Sequence, residues 1–364
     1  MMQDAVGTKG RATGAKQAPA VVDVFCGVGG LSHGFYKEGF DVRAGIDVDL
    51  TCKYPFETNN GARFVGKSIE NVTSKQVNRI FGKTATRVLV GCAPCQPFSV
   101  YNRKKKNNDK WKLLLNFADL VSRTQPDVVS MENVPQIRSH SVFKKFVSAL
   151  KRSGYVVSEY VVYCPDYGIP QGRKRLVLFA SKYGKVELLP KTHSPKEYKT
   201  LGDAISKLKA IKAGDVDPTD PLHRCRNLGE LNLRRIRSTP EGGAWESWDD
   251  SLKLKCHKKK GGKSFRCVYG RMRWDKPSST ITTEFCNLGT GRFGHPEQDR
   301  TISLREAAVL QTFPKYYRFY EEEEDITFAG LARLIGNAVP VRLARVVARS
   351  IRRHLEQVDK IVIR

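Results

Sequence analysis

A strand, a glycine turn and a helix follow one another directly near the start of the chain, and this succession restricts the fold most. The apolar run Val21–Phe25 leads into Cys26-Gly27-Val28-Gly29-Gly30, and a helical pattern continues to about Glu38. A second apolar run, Val42–Ile46, then ends at Asp47. Glycines let the backbone turn tightly at the start of a helix. The segment therefore predicts the opening βαβ unit of a doubly wound sheet.

The same alternation continues through the first half of the chain. It predicts an α/β fold with a doubly wound, mostly parallel sheet, in which ligands bind beyond the carboxyl ends of the strands. We expect the glycine turn, Cys95 and Glu132 to follow strand ends and to face one cleft. The further strand-like runs are Arg87–Val90, Asp127–Met131, Val156–Tyr163 and Leu176–Ala180, and the clearest helical patterns between them are Trp111–Arg123 and Val142–Lys151.

The charge balance narrows the classes of partner. The 364 residues include 63 Lys and Arg against 37 Asp and Glu, a net charge of +26. A surface this positive attracts polyanions, and since no basic amphipathic helix with a bulky apolar face is evident, nucleic acid is favoured over a membrane. No apolar stretch is long enough to span a bilayer, and no secretory signal precedes the first strand. Nine scattered cysteines favour a reducing compartment, so we expect a cytoplasmic protein.

Cys95 lies in a stiff turn after the strand-like run Arg87–Val90. Pro94 and Pro97 bracket it and fix the backbone on either side. Three interpretations remain at this point: a buried core thiol, a redox or zinc pair with Cys92, or a catalytic nucleophile. Further zinc ligands at recognisable spacing are lacking, so we predict no metal site.

The glycine turn itself indicates a nucleoside ligand. Asp47 lies twenty residues after Gly27, at the end of the second strand, where an acidic group commonly binds ribose hydroxyls. A dinucleotide fingerprint requires G-x-G-x-x-G, and Ser32 occupies its last position, which disfavours NAD and FAD. Taken alone, the turn could be only a tight βα junction.

Several motifs occur together in a fixed order, and their order is more specific than any one of them. The ordered motifs are Phe25-Cys26-Gly27-Val28-Gly29-Gly30, Pro94-Cys95-Gln96, Glu132-Asn133-Val134, Gln171-Gly172-Arg173-Lys174-Arg175 and Gly336-Asn337-Ala338-Val339-Pro340. The set resembles the DNA (cytosine-5)-methyltransferase family, whose members use S-adenosylmethionine, and it covers roughly residues 21–183 and 269–350. Residues 271–283 also resemble the family segment that follows its target-recognition region.

The resemblance implies roles for individual residues. Cys95 matches the nucleophile, Glu132 the acid that contacts the base, and Arg173 and Arg175 the arginines that support the catalytic loop and hold the cytosine. The chain departs from the family at Ser68, where an Asp usually accepts a hydrogen bond from adenine, and at Val48, where many relatives carry a larger residue. Cofactor contacts are implied at Phe25, Gly27, Gly29, Gly30, Asp47, Val48, Ile69, Pro94 and Asn337.

The resemblance also implies a domain plan. We expect a mobile basic tail (1–19), a Rossmann-like catalytic and cofactor-binding domain (20–184), a smaller irregular target-recognition lobe (185–330) and a C-terminal helix (331–364) packing back on the catalytic domain. The basic loop 101–112, which follows Cys95, is the candidate to close over DNA.

The implied activity is methyl transfer to C5 of a flipped-out cytosine in a specific sequence of double-stranded DNA, through a covalent intermediate on Cys95. We expect a monomer that serves a restriction-modification system beside a cognate restriction endonuclease. A transfer-RNA cytosine methyltransferase and a catalytically silent DNA-binding regulator remain as alternatives, and a Rossmann oxidoreductase is more distant.

Overall fold

A seven-stranded sheet forms the centre of the computed structural model, which describes residues 17–94, 111–259, 261–262, 265–321 and 326–362. The strands are β1 Ala20–Val24, β2 Asp41–Asp47, β3 Arg63–Gly66, β4 Arg87–Gly91, β5 Val128–Asn133, β6 Val156–Tyr163 and β7 Lys174–Ser181, with β8 Val216–Asp217 and β9 Asp220–Arg224 in a separate hairpin. The helices are α1 Gly30–Lys37, α2 Lys53–Asn60, α3 Ser74–Phe81, α4 Lys112–Thr124, α5 Ser141–Arg152, α6 Leu201–Ile205, α7 Glu230–Arg237, α8 Leu304–Leu310, α9 Phe328–Asn337 and α10 Val341–Val362.

The sheet has the order β3-β2-β1-β4-β5-β7-β6. All neighbouring pairs from β3 to β5 are parallel, whereas β7 is antiparallel to both β5 and β6. The mostly parallel α/β fold predicted from the alternation is confirmed. Because β7 is reversed, its first residues lie at the same edge of the sheet as the last residues of β5.

Helices cover both faces of this sheet. The apolar residues of β1 alternate between the two layers, as the two-residue period of a strand requires: Val21 packs in one core and Val22 in the other. The first core includes Phe35 of α1 and residues of α2 and α10, and the second includes Phe117 of α4 and residues of α3 and α5. The strands at the centre of the sheet, β1, β4, β5 and β7, are buried on both faces and almost continuously apolar, whereas β3 and β6 at the two edges carry exposed residues.

The region between β7 and α8 has little regular structure, in agreement with its polar and basic sequence. Its own small core packs Trp245 and Trp248 with Leu252, and the Arg235 guanidinium lies over the rings of Trp248 and Tyr269, 5.6 and 5.4 Å from their centroids. The later part, residues 272–319, contributes instead to the main core. The proposed division at residues 185 and 330 therefore does not coincide with a division of the hydrophobic core.

The C-terminal helices return to the sheet. Helix α10 lies beside α1, and the close approach of Gly34 to Ala344 leaves no room for a side chain at position 34. Helix α9 begins at Phe328, a little before the expected boundary at 331, and ends at the cleft beyond β1. Nowhere in the described ranges is a helix long and apolar enough to cross a membrane.

Candidate active site

A cavity of about 350 Å³ opens at the carboxyl ends of β1, β2 and β4. Its position agrees with the rule that ligands bind beyond the strand ends of a doubly wound sheet. Helix α9, which is distant from these strands in sequence, also lines the cavity. Seven of the nine predicted cofactor residues line it: Phe25, Gly27, Asp47, Val48, Ile69, Pro94 and Asn337.

The glycine turn forms one wall through unusual backbone geometry. Phe25 has a left-handed φ of 63°, a conformation that costs a non-glycine residue about 1–3 kcal/mol and often marks a functional site. Gly27 also has a positive φ, 50°, and a Cβ at this position would meet no atom within 4 Å. The backbone at Gly27 is therefore open to close approach by a ligand.

Asp47 joins the turn to the second strand. Its two oxygens accept backbone N–H bonds from Gly27, at 2.9 Å, and from Asp49, at 3.0 Å. Burial raises the pKa of Asp47, and these two bonds oppose that effect. Since each carboxylate oxygen accepts more than one hydrogen bond, Asp47 retains capacity to bind ligand hydroxyls.

Asp49 and Arg333 connect the cavity wall to α9. The two side chains form an ion pair, and both residues line the cavity. Burial works against the charge of Asp49, but hydrogen bonds from Thr51 and Arg333 hold its pKa below the usual range. This pair attaches α9 to the segment that follows β2.

Gly29 and Gly30 are not among the lining residues; they allow tight packing behind the turn. A Cβ at Gly29 would collide with the Asn60 side chain, and one at Gly30 would lie 2.5 Å from the carbonyl oxygen of Val339. Their proposed cofactor contacts stay a prediction, whereas Gly29 visibly allows close packing against Asn60 of α2, and Gly30 allows close packing against residues 338–339.

The two departures from the family pattern lie at the cavity rim. Val48 is 71% exposed, and Ser68 donates a hydrogen bond to Glu70 at 3.3 Å. Both residues line the cavity together with Lys67. The oxygen of the Ser68 hydroxyl can therefore still accept a hydrogen bond from a ligand in the cavity.

Glu132 is buried beside this cavity, with 4% exposure. It lies inside β5, one residue from its end, and not after the strand as expected. Its Oε1 is 2.8 Å from Nε of Arg175, and its Oε2 accepts a hydrogen bond from the Cys92 thiol at 2.8 Å. The arginine contact is an ion pair, since no described donor is aligned on Oε1 as a hydrogen bond.

Arg173 is fully enclosed next to this pair. It donates hydrogen bonds to the Ile281 carbonyl, at 2.9 Å, and to Gln171, at 3.4 Å. Burial and, to a smaller extent, repulsion from Arg175 lower the pKa of Arg173 to about 10, while Glu132 opposes the shift. Arg173 therefore remains charged at neutral pH and contributes to a positive environment around Glu132.

A chain of buried amides links Arg173 to the cavity. Gln171 donates to Gln311 at 2.9 Å, and Gln311 donates in turn to the carbonyl oxygens of Ile335 and Ala338. Ala338 lines the cavity. This connection could not be predicted, because neither the charge nor the apolar pattern of the sequence distinguishes a buried glutamine from a surface one.

Cys95 and the loop to residue 110 lie outside the described residues. The chain is described up to Pro94, which lines the cavity, and again from Trp111, just before α4. Cavity residues that we did not predict include Cys92, Arg333 and Leu334. Within the described ranges, no three His, Cys, Asp or Glu side chains converge as metal ligands.

Comparison with known proteins identifies the family. The family model for C-5 cytosine-specific DNA methylases matches residues 20–353. The chain belongs to this family. The methylase is 51% identical to the Type II methylase M.HgiDII of Herpetosiphon aurantiacus, over 93% of this chain and 96% of that protein.

More distant relatives agree with this assignment. The Type II methyltransferase M1.BsuMI of Bacillus subtilis is 32% identical, over 90% of this methylase and 79% of that protein. The fold matches a prophage-encoded E. coli protein, proposed to be a DNA modification methyltransferase, with a TM-score of 0.73 and 21% identity over 93% of this chain and 100% of that one. The methylase is therefore a C-5 cytosine DNA methyltransferase of the Type II kind.

Proposed function

We propose that the methylase transfers a methyl group from S-adenosylmethionine to C5 of a flipped-out cytosine in a specific duplex sequence, through a covalent bond to Cys95. We further propose that it protects DNA from a cognate restriction endonuclease. The observation that carries this proposal is the buried contact between Glu132 and Arg175, placed next to the cavity that Pro94 lines. The segment carrying Cys95 begins at that point.

The cavity suits S-adenosylmethionine in three respects. The backbone at Gly27 is open, the acidic side chain of Asp47 can accept from ribose hydroxyls, and apolar surface at Val48 and Ile69 can hold a flat base. When bound, the cofactor supplies an electrophilic methyl group on a sulfonium. Asn337 would hold it from the α9 side.

Cys95 supplies the nucleophile in this proposal. Carbon 5 of cytosine is too weakly nucleophilic to take a methyl group unaided, and thiolate attack on carbon 6 pushes electrons onto carbon 5. Carbon 5 then takes the methyl group from the sulfonium, whose sulfur keeps the bonding electrons and leaves as a thioether. Loss of the carbon 5 proton to water breaks the bond between carbon 6 and sulfur and releases the thiolate. A thiol of ordinary pKa is only about 3% ionised at pH 7, so presenting the thiolate costs about 2 kcal/mol. The positive charges of Arg173 and Arg175 can offset part of that cost if the thiol closes onto them.

Glu132 and the arginines act on the other side of the ring. During thiolate attack the ring must accept electrons, and a proton taken up from water and shared between nitrogen 3 and the Glu132 carboxylate would permit this. Arg175 lies beside Glu132 and can donate to the base carbonyl, while Arg173 is held too firmly by Ile281 to move far. A cytosine stacked in a duplex could not reach these groups, so the nucleotide must leave the helix.

Methyl transfer to duplex DNA tests the nucleophile. We expect Cys95→Ala to abolish transfer of a labelled methyl group, whereas Cys225→Ala, which removes a cysteine from the other lobe, retains it. In the presence of S-adenosylmethionine, a duplex with 5-fluorocytosine at the target should trap the wild-type protein covalently, because carbon 5 then has no proton to lose, and it should leave the Cys95→Ala protein unlinked. Retained turnover by Cys95→Ala would refute the covalent step.

The target sequence and biological setting need separate experiments. Bisulfite sequencing of DNA from cells that express the methylase identifies the methylated position and its context. An extract of the source cells should then cut unmethylated DNA at that sequence and spare methylated DNA. Methylation at unrelated sequences would overturn the specificity, and absence of cleavage would overturn only the restriction partner.

A further inference from the structure

We propose that Cys92 is a positioning residue, which fixes the carboxylate of Glu132 for its contact with the flipped cytosine. This inference rests on the function proposed above for Glu132, and it assigns a role to a second cysteine, three residues before the nucleophile. The sequence offered Cys92 only as a possible redox or zinc partner of Cys95.

Strand register places the two side chains together. Strands β4 and β5 are parallel neighbours, and Gly91 pairs with Met131. Cys92 and Glu132 are the next residue of each strand pair, so their side chains leave the sheet side by side. The thiol sulfur lies 2.8 Å from Oε2 of Glu132, close enough for the thiol to donate its proton in a hydrogen bond.

Glu132 is thereby held from both of its neighbouring strands. Cys92, after β4, binds Oε2, and Arg175, on β7, is 2.8 Å from Oε1. A glutamate side chain has three rotatable bonds, and a contact at only one oxygen would leave the carboxyl plane free to turn. With a hydrogen bond at Oε2 and an ion pair at Oε1, the plane is fixed. Groups aligned before substrate binds contribute more to catalysis than groups that must reorganise.

The position of Cys92 allows two roles of its thiol to be distinguished. It lines the cofactor cavity, whereas the Glu132 side chain is buried behind it. A role for the thiol in Glu132 alignment therefore makes a different prediction from a role as cavity wall. If the thiol aligns Glu132, its loss changes recognition of the base. If the thiol only forms part of the cavity wall, its loss changes cofactor affinity.

The experiment measures how strongly the protein senses the target base. We would determine dissociation constants, in the presence of S-adenosylhomocysteine, for a duplex with the target cytosine and for one with an abasic site in its place. The dissociation constant for the abasic duplex divided by that for the cytosine duplex isolates the contribution of base contacts. Turnover and the dissociation constant for S-adenosylmethionine are measured on the same variants. Cys225→Ala is the matched control, because its thiol donates to the Lys212 carbonyl, in the other lobe.

We expect Cys92→Ala to weaken binding to the cytosine duplex, relative to the abasic duplex, by about tenfold, the usual effect of one hydrogen bond to a charged group. Turnover should fall by a similar factor, while affinity for S-adenosylmethionine stays within twofold. Cys92→Ser, which keeps a donor, should recover most of the loss. In a Glu132→Ala background, Cys92→Ala should have less than a twofold effect, since there is no carboxylate to align.

Other outcomes separate this inference from the proposed function. If Glu132→Ala leaves the ratio unchanged, the proposed base contact of Glu132 is wrong, and the role of Cys92 with it. If Glu132→Ala lowers the ratio but Cys92→Ala does not, only the inference about Cys92 is overturned. Equal effects of Cys92→Ala with and without Glu132, or a loss confined to cofactor affinity, would overturn it too.

Discussion

Replacing Arg175 with leucine should strongly destabilise the fold, because it leaves the charge of Glu132 buried without its partner. The side chains of the pair are 12% and 4% exposed, with 2.8 Å between nitrogen and oxygen. Breaking a buried ion pair by removing one partner costs about 3–5 kcal/mol. Arg173 and the Cys92 thiol still stabilise the carboxylate here, so we expect the lower end, about 3 kcal/mol.

Equilibrium urea unfolding measures this loss as a change in the free energy of unfolding. The control is Arg138→Ala at the pair between Arg138 and Glu159, where the atoms are 3.1 Å apart but the side chains are 52% and 35% exposed. Exposed pairs contribute about 0–1 kcal/mol, so the control should lose less than that. Glu132→Gln in the Arg175→Leu background should restore about 1–2 kcal/mol, because it removes the unpaired charge. Equal losses at the two pairs, or additive effects of the two substitutions, would refute the argument.

Three further predictions concern the cofactor side of the sheet. Asp47→Asn should weaken S-adenosylmethionine binding about tenfold in calorimetry, because the amide NH2 group would face one of the two backbone N–H donors that the carboxylate accepts from; Asp41→Asn, at the other end of β2, should have no effect. Gly30→Ala places a Cβ 2.5 Å from a carbonyl oxygen and should lower the free energy of unfolding by about 1–3 kcal/mol. The control Gly229→Ala, whose Cβ would have no atom within 4 Å, should leave it unchanged, and equal melting temperatures of the two variants would contradict the prediction. Burial raises the pKa of Asp23 to about 8, so the folded state keeps a proton that the unfolded chain releases. The free energy of unfolding should therefore fall with rising pH between about 4 and 8, by up to about 1.4 kcal/mol per pH unit. Asp23→Asn should remove that slope.

The sequence predicted six of the seven strands of the central sheet, because strands buried between two helix layers are rich in apolar residues, and it missed the short edge strand β3, which has little apolar pattern. The expected boundaries of β4 and β6 agree with the structure within one residue, and the antiparallel setting of β7 places Arg175 against Glu132 as the proposed mechanism needs. The glycine turn and Asp47 were evident because unusual backbone geometry requires particular residues.

Other features could not be predicted because they depend on contacts between distant parts of the chain. Arg333 and Gln311 reach the cavity region from the far end of the sequence, and nothing in their local pattern indicates it. The sharing of one core by residues 272–319 and the sheet was also hidden, since irregular segments have no apolar period. The hydrogen bond from Cys92 to Glu132 follows from strand register, which the sequence alone leaves undetermined.

The cavity beyond β1 is assembled from parts of the chain that are distant in sequence, residues 25–94 and Leu113 on one side and residues 333–339 on the other. During synthesis the ribosome releases the first wall long before the second exists. A nascent or prematurely terminated polypeptide therefore lacks a complete site for the methyl donor, even after most of the sheet has formed. Activity begins only when the last helices have been made and have docked.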